Sequence, residues 1–303
     1  MTQHYSRLVT TAAISAAVVA GLLIIAKLFA WFYTGSASML ASLTDSLLDI
    51  SASLINLMAI RYALVPPDED HRFGHGKAES LAGLAQSAFI SGSAVFLVIN
   101  GISRLLNAEQ VSRPEAGIWV MVFSLVLTGG LIAFQQYVIR RTQSLAIKAD
   151  QLHYRGDILL NLAVLLAIVL SWYGWHWADG LFAVLIGGHI LHGALKIGYD
   201  SAQMLLDRRL PDEEQKRIIE GCLAVKGVHG LHDLRTRRSG RTRFIQLHLE
   251  LDDHQPLVRA HGIAEEAERE LRLLFPEADI IIHMDPVSAV PVEIDSKTSE
   301  HTF

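Results

Sequence analysis

Six apolar stretches, each long enough to cross a bilayer as a helix, occupy the chain up to about residue 206. A spanning helix takes ~20 apolar residues. The stretches run roughly 8–33, 37–64, 80–106, 116–139, 144–173 and 178–206. Beyond them the chain reads as an ordinary soluble domain. The whole sequence is 51% hydrophobic and only 19% charged, and the shortage of charge lies in the first two thirds. Two domains are expected: six transmembrane helices in 1–208 and a smaller domain in 209–291. A polar tail, 292–303, is expected to be disordered.

The N-terminal stretch is not a cleavable signal peptide. Its apolar run from Leu8 to Tyr33, broken only by Lys27, far exceeds a signal core of ~7–15 residues. Arg7, Arg61, Arg72, Lys77, Arg140, Arg141, Lys148, Arg208 and Arg209 fall on one side of the expected membrane. The connections near residues 35 and 175 carry no Lys or Arg. The positive-inside rule therefore puts both termini in the cytoplasm, and Trp31, Trp172, Trp175 and Trp177 fall near the opposite ends of the helices. A net charge of −5 argues against nucleic acid as a partner. One cysteine, Cys222, excludes an internal disulfide framework and a cysteine-rich metal cluster.

The second domain reads as αββαβ. Residues 211–224 suit a helix with proline and acids in its first turn. Strand patterns follow at about 230–238 and 242–251, with Gly240 between them. Helical spacing covers 256–274, and 278–284 is again a strand. That order suits a small open sheet with both helices on one face.

Two i, i+4 pairs of ionisable groups lie inside the expected membrane spans. Asp45 and Asp49 sit on the second helix, His153 and Asp157 on the fifth. Each pair is spaced i, i+4, which stacks its side chains on one helix face. At 1.5 Å per residue, Asp49 lies ~18 Å from the outer start of its helix and Asp157 ~20 Å from the inner start of its own. All four can meet near mid-membrane. One carboxylate at the bilayer centre costs ~2.5–3.5 kcal/mol, so three left uncompensated would cost roughly 8–10 kcal/mol. Protons or a divalent cation must compensate. Three oxygens and an imidazole suit tetrahedral Zn²⁺ and accept Fe²⁺ or Cd²⁺, whereas the lack of thiolate disfavours Cu⁺. Ligands shed protons to bind metal, and His153 titrates nearest physiological pH, so exchange of metal for protons is expected.

The strings TDSLLDISASLIN (44–56), DEDHRFGHGKAES (68–80), HYRGD (153–157) and HDLRTRRSG (232–240) resemble those of the cation diffusion facilitator family, closely its bacterial ferrous-iron and zinc efflux pumps. The resemblance covers nearly the whole chain. It implies six transmembrane helices and a small cytoplasmic α/β, metallochaperone-like domain. It also implies a homodimer in the bacterial inner membrane and efflux of divalent metal against protons. In the family the two-helix set is associated with zinc, iron and cadmium.

Two further clusters are expected. Asp68, His71 and His75 lie in the loop between the second and third helices, and three ligands from eight residues can hold a metal with water in the fourth place. The resemblance assigns them to a second site. In the tail, His248 shares a strand face with Glu250, while His283 and Asp285 point the same way. The resemblance implies two structural or regulatory zinc ions bridged by Asp285, with His232 and His248 at one and His261 and His283 at the other. Met284 departs from the family pattern and is a poor zinc ligand. His189 and His192, in the sixth helix, belong to no motif and read as a satisfied buried pair or a helix contact. A membrane metalloenzyme is disfavoured, because the chain has no His-Glu-x-x-His. A metal-gated channel or a metal sensor without proton coupling are the rival readings.

Overall fold

The computed structural model describes residues 2–34, 37–106, 118–173, 175 and 177–290. Two compact units divide the chain, one to Ala202 and the other from Gln203. The first holds six long helices: α1 Thr2–Thr34, α2 Ala37–Ala63, α3 Lys77–Leu106, α4 Ile118–Thr142, α5 Leu145–Trp172 and α6 Ala178–Leu205. Among the described residues, four helices are long and apolar enough to cross a membrane: α1, α3, α4 and α6. The other two match them in length, at 27 and 28 residues, but carry the acids and histidine singled out above. The expectation of six spans is thus met in length by all six and in apolarity by four. The expected disordered tail, 292–303, lies outside the described residues.

The bundle is held by small apolar contacts and by polar groups turned inward. Val9, Ala12 and Ala13 of α1 pack with Ile60 of α2, Val138 of α4 and Ile147 of α5. Alanines at the contact let helices approach closely where hydrocarbon outside offers no hydrophobic drive. Gly101 of α3 and Gly180 of α6 serve the same end, since a Cβ on either would meet the other's carbonyl oxygen below 3.0 Å. The link between α4 and α5 is two residues. Gln143 takes a left-handed φ of 55°, and the Ser144 hydroxyl accepts the Ile147 amide at 3.2 Å, capping α5. This turn fixes where α5 begins and hence the depth of His153.

The second unit is the expected αββαβ: α7 Asp212–Leu223, β1 Gly230–Ser239, β2 Thr242–Leu251, α8 Leu257–Leu274 and β3 Ala278–Pro286. The sheet order is β1-β2-β3. β1 and β2 form an antiparallel hairpin that turns at Gly240, φ 57°, and β2 pairs parallel with β3 across α8. A parallel pair needs such a crossover. Ile245, Leu247 and Leu249 face a core built with Ile218, Leu271 and Phe275, so both helices cover that face. Cys222 lies wholly inside this core, and burial pushes its thiol up to about 12. It packs as a small apolar group and offers no thiolate to a metal.

Candidate metal centres

Within the helical unit, α2 and α5 bring an acid and an imidazole into contact. His153 Nε2 donates to Asp49 Oδ1 at 2.8 Å and lies 3.9 Å from Asp157 Oδ2. One ligand atom from each of the three residues lies within 4.8 Å of the others. Ligands at ~2.0–2.2 Å in a tetrahedron stand about 3.3–3.5 Å apart, so these separations bracket the spacing a zinc-sized ion needs. Asp45 falls on α2 one turn before Asp49, and its side chain lies outside the described residues. Beside the trio, the Tyr154 hydroxyl meets Ser53 Oγ at 3.0 Å and donates to the Ala16 carbonyl at 3.4 Å. That bridge joins α1, α2 and α5 next to the ligands.

Two polar groups of the helical unit escaped sequence reasoning. Asp150 of α5, 1% exposed, receives the Gln135 amide of α4 at 2.6 Å and the Gln86 amide of α3 at 3.3 Å. Lys27 of α1 donates to Ser46 of α2 at 2.6 Å. Both were visible as charges within apolar helices, but their direction was not.

The loop between α2 and α3 gathers its three expected residues. Asp68 Oδ1 lies 3.4 Å from His71 Nδ1, and Oδ2 lies 3.3 Å from His75 Nε2. Gly74, at φ 77°, makes the turn that folds His75 back. The His75 ring is buried against the edge of Tyr62, and its Nδ1 donates to the Val65 carbonyl at 3.3 Å. A carbonyl only accepts, so Nδ1 carries a proton, and this hydrogen bond aims Nε2 at Asp68. The His71 backbone amide, at 2.6 Å from Oδ1, holds the Asp68 carboxyl below the usual carboxylate range.

In the tail unit, sheet register does the gathering. His232 of β1 sits opposite His248 of β2, which sits opposite His283 of β3. Asp285 lies two residues past His283 on β3, opposite Glu250, alongside this row. Its Oδ2 lies 2.7 Å from His248 Nδ1 and 3.3 Å from His232 Nε2, while Oδ1 lies 3.0 Å from His283 Nε2. One oxygen thus faces each of the two expected ion positions. Burial would raise the Asp285 carboxyl, but the His248 hydrogen bond and the neighbouring imidazoles outweigh it, and the group is lowered. His232 Nδ1 donates to Glu250 Oε1 at 2.8 Å, leaving Nε2 turned to Asp285. Glu250 was missed as part of this set, although its alternation with His248 placed it on the same face.

The remaining residues singled out above have other neighbours. His261 lies exposed on α8 and pairs with Glu265 one turn on, at 3.5 Å. Met284 packs against the apolar core, as period-two alternation beside His283 and Asp285 requires, so it is no ligand. His189 and His192 are exposed on α6, so of the two expectations the buried pair is corrected, while His189 lines a cavity with Leu152 and Gly156 of α5 as a helix contact would.

Four helices apolar enough to cross a bilayer stand with two that bring acids and an imidazole together, and ionisable groups inside a membrane bundle mark a path for ions or protons. Residues 13–206 match the cation efflux transmembrane domain, and residues 210–287 match the cation efflux protein cytoplasmic domain. The chain belongs to the cation efflux family, the cation diffusion facilitators, a family of membrane metal transporters and not of enzymes. A cation-efflux pump named FieF from Pectobacterium carotovorum subsp. carotovorum is 58% identical over 291 residues, 96% of this chain and 97% of the pump. The FieF of Citrobacter koseri is 56% identical over 293 residues, 97% of this chain and 98% of the pump. The zinc form of CzrB, a solved structure, is 33% identical, with a TM-score of 0.26, and covers 28% of this chain and 98% of that one.

Proposed function

We propose that the chain exports divalent transition-metal ions, zinc or ferrous iron with cadmium as a further substrate, from the cytoplasm by exchange for protons. Asp45, Asp49, His153 and Asp157 hold the ion in transit. The observation that carries this reading is the convergence of Asp49, His153 and Asp157 from two helices inside the helical unit. Two or three carboxylates and an imidazole must be deprotonated to take the ion, so protons and metal compete for the same atoms. Metal loads from the cytoplasm as protons leave, and protons arriving from outside displace it when the site opens there. The excess of basic residues on one side supports an inner-membrane orientation with both termini cytoplasmic.

Residues 1–208 form the transport domain and 209–291 a cytoplasmic metal-binding and dimerisation domain in a homodimer. Zinc at His232, His248, His283 and Asp285 ties the tail domains together and adjusts transport, with His261 contributing when the domains pair. Asp68, His71 and His75 bind a further ion at the loop. The test is transport in reconstituted vesicles with an imposed pH gradient and a metal-sensitive dye inside. Asp49→Ala should abolish metal uptake coupled to proton release. Wild-type rates indifferent to the pH gradient would instead mark a channel, and persistent coupled uptake in Asp49→Ala would sink the site.

A further inference from the structure

Lys27 is the one charged residue in α1 after Arg7. α1 runs only seven residues further, to Thr34, about 10 Å along the axis. A lysine that near a helix end ordinarily stretches outward to the membrane surface. Here its Nζ turns inward and donates to Ser46 Oγ at 2.6 Å. Ser46 is 1% exposed, so the ammonium lies at the buried contact of α1 with α2. Ser46 directly follows Asp45 and lies three residues before Asp49. Residues at i, i+3 on a helix have Cβ atoms about 5–6 Å apart, so the serine that holds the ammonium is a helical neighbour of Asp49.

We propose that Lys27 is a resident cation of the transport site, there to balance its charge and to weaken its hold on the metal. This rests on the assignment of Asp45, Asp49, His153 and Asp157 as that site. Three carboxylates, one ammonium, a neutral imidazole and a divalent ion sum to zero, so the loaded site can sit in hydrocarbon without net charge. Without the lysine the loaded site would carry one uncompensated negative charge, which is costly there. The same ammonium repels an arriving divalent ion. Affinity is lowered, and release on the far side is quickened. After release, the ammonium still offsets one of the carboxylates.

The lysine's charge and its hydrogen bond can be separated. Lys27→Gln keeps a donor for Ser46 and loses the charge, Lys27→Met loses both, and Lys27→Arg keeps both. Removing a charge from a spanning helix eases its insertion, so these variants should assemble. Zinc uptake into vesicles is measured at pH 8, where protons compete least, for the full-length chain. Lys27→Gln and Lys27→Met should each lower KM about ten-fold or more, since a unit charge within several ångströms of a divalent ion is strongly felt at low dielectric. Turnover should fall alongside, because release slows, while Lys27→Arg keeps wild-type KM and turnover. Unchanged KM and turnover in Lys27→Gln would overturn the proposal, as would an equal loss in Gln and Arg variants with KM raised. Asp49→Ala is run beside them. If it still transports, the site assignment fails. If it is dead while Lys27→Gln is unaltered, only the lysine's role fails.

Discussion

The two units of this chain solve opposite solvation problems. The tail unit buries leucine and isoleucine on one face of its sheet and leaves its histidines and acids on the other. The helical unit buries Ser46, Ser53, Asn56, Gln135, Asp150 and Gln151, while Phe32 and Phe96 stand 83% and 70% exposed. Burial of apolar area stabilises the first because water surrounds it. Hydrocarbon surrounds the second, so polar groups are what gain by turning inward. The ligand sets follow the same division. In the helical unit, i, i+4 spacing aims His153 and Asp157 across a helix contact at Asp49. In the tail, strand register lines up His232, His248 and His283 with no help from spacing along the chain.

The sharpest way to break this contrast is a lysine placed on each exterior. Val126 of α4 is 69% exposed, and Leu273 of α8 is 71% exposed. Val126→Lys should cost ~2.5–3.5 kcal/mol if that face meets lipid. Leu273→Lys should stay within about 0.5 kcal/mol, as most surface substitutions do. Unfolding in bicelles and in buffer, respectively, would measure each. Similar costs at the two positions would erase the distinction.

A smaller effect is expected at Glu250, which orients His232. Glu250→Gln should weaken tail zinc binding by about ten-fold, the usual loss when a carboxylate behind a ligand imidazole is removed. Titration calorimetry on the full chain in detergent reads it, and transport-site affinity should not move. The smallest effect concerns acid. Asp285 titrates below its unfolded value of 3.8. Its contribution to stability is therefore complete above that value and is lost as pH falls through the folded one. Metal-free tail stability should thus decline below about pH 4, and Asp285→Asn should flatten that limb. Thermal melts across pH 3–6 would show it. A slope of the other sign would mean that the imidazoles hold the group less well than its contacts suggest.

Much of the site was legible because helix periodicity is local. Asp49, His153 and Asp157 could be placed at one depth by counting residues, and the structure brings their ligand atoms together. The αββαβ order was legible for the same reason, since alternation and turn residues act over a few positions. Register was not legible. Nothing in the spacing of His232, His248 and His283 says that they stand side by side across three strands, and the irregularity between His232 and Arg235 shifts the pairing further. Direction was also hidden for single groups. Lys27 could have run outward, and His189 and His192 could have turned inward. Which way each goes depends on neighbouring helices. His261 illustrates a third limit, because helical spacing shows its neighbour Glu265 and nothing of what another strand or subunit brings.

The Asp150 clasp bears on which helices of the bundle can shift apart. Separating Gln135 from Asp150 would strand a carboxylate away from water with its 2.6 Å contact broken, so α4 and α5 should travel as one lever. The Gln86 contact, at 3.3 Å, is the slacker link. A sliding seam between α3 and that lever is therefore cheaper than one within it, and any displacement of α5 should carry α4 with it.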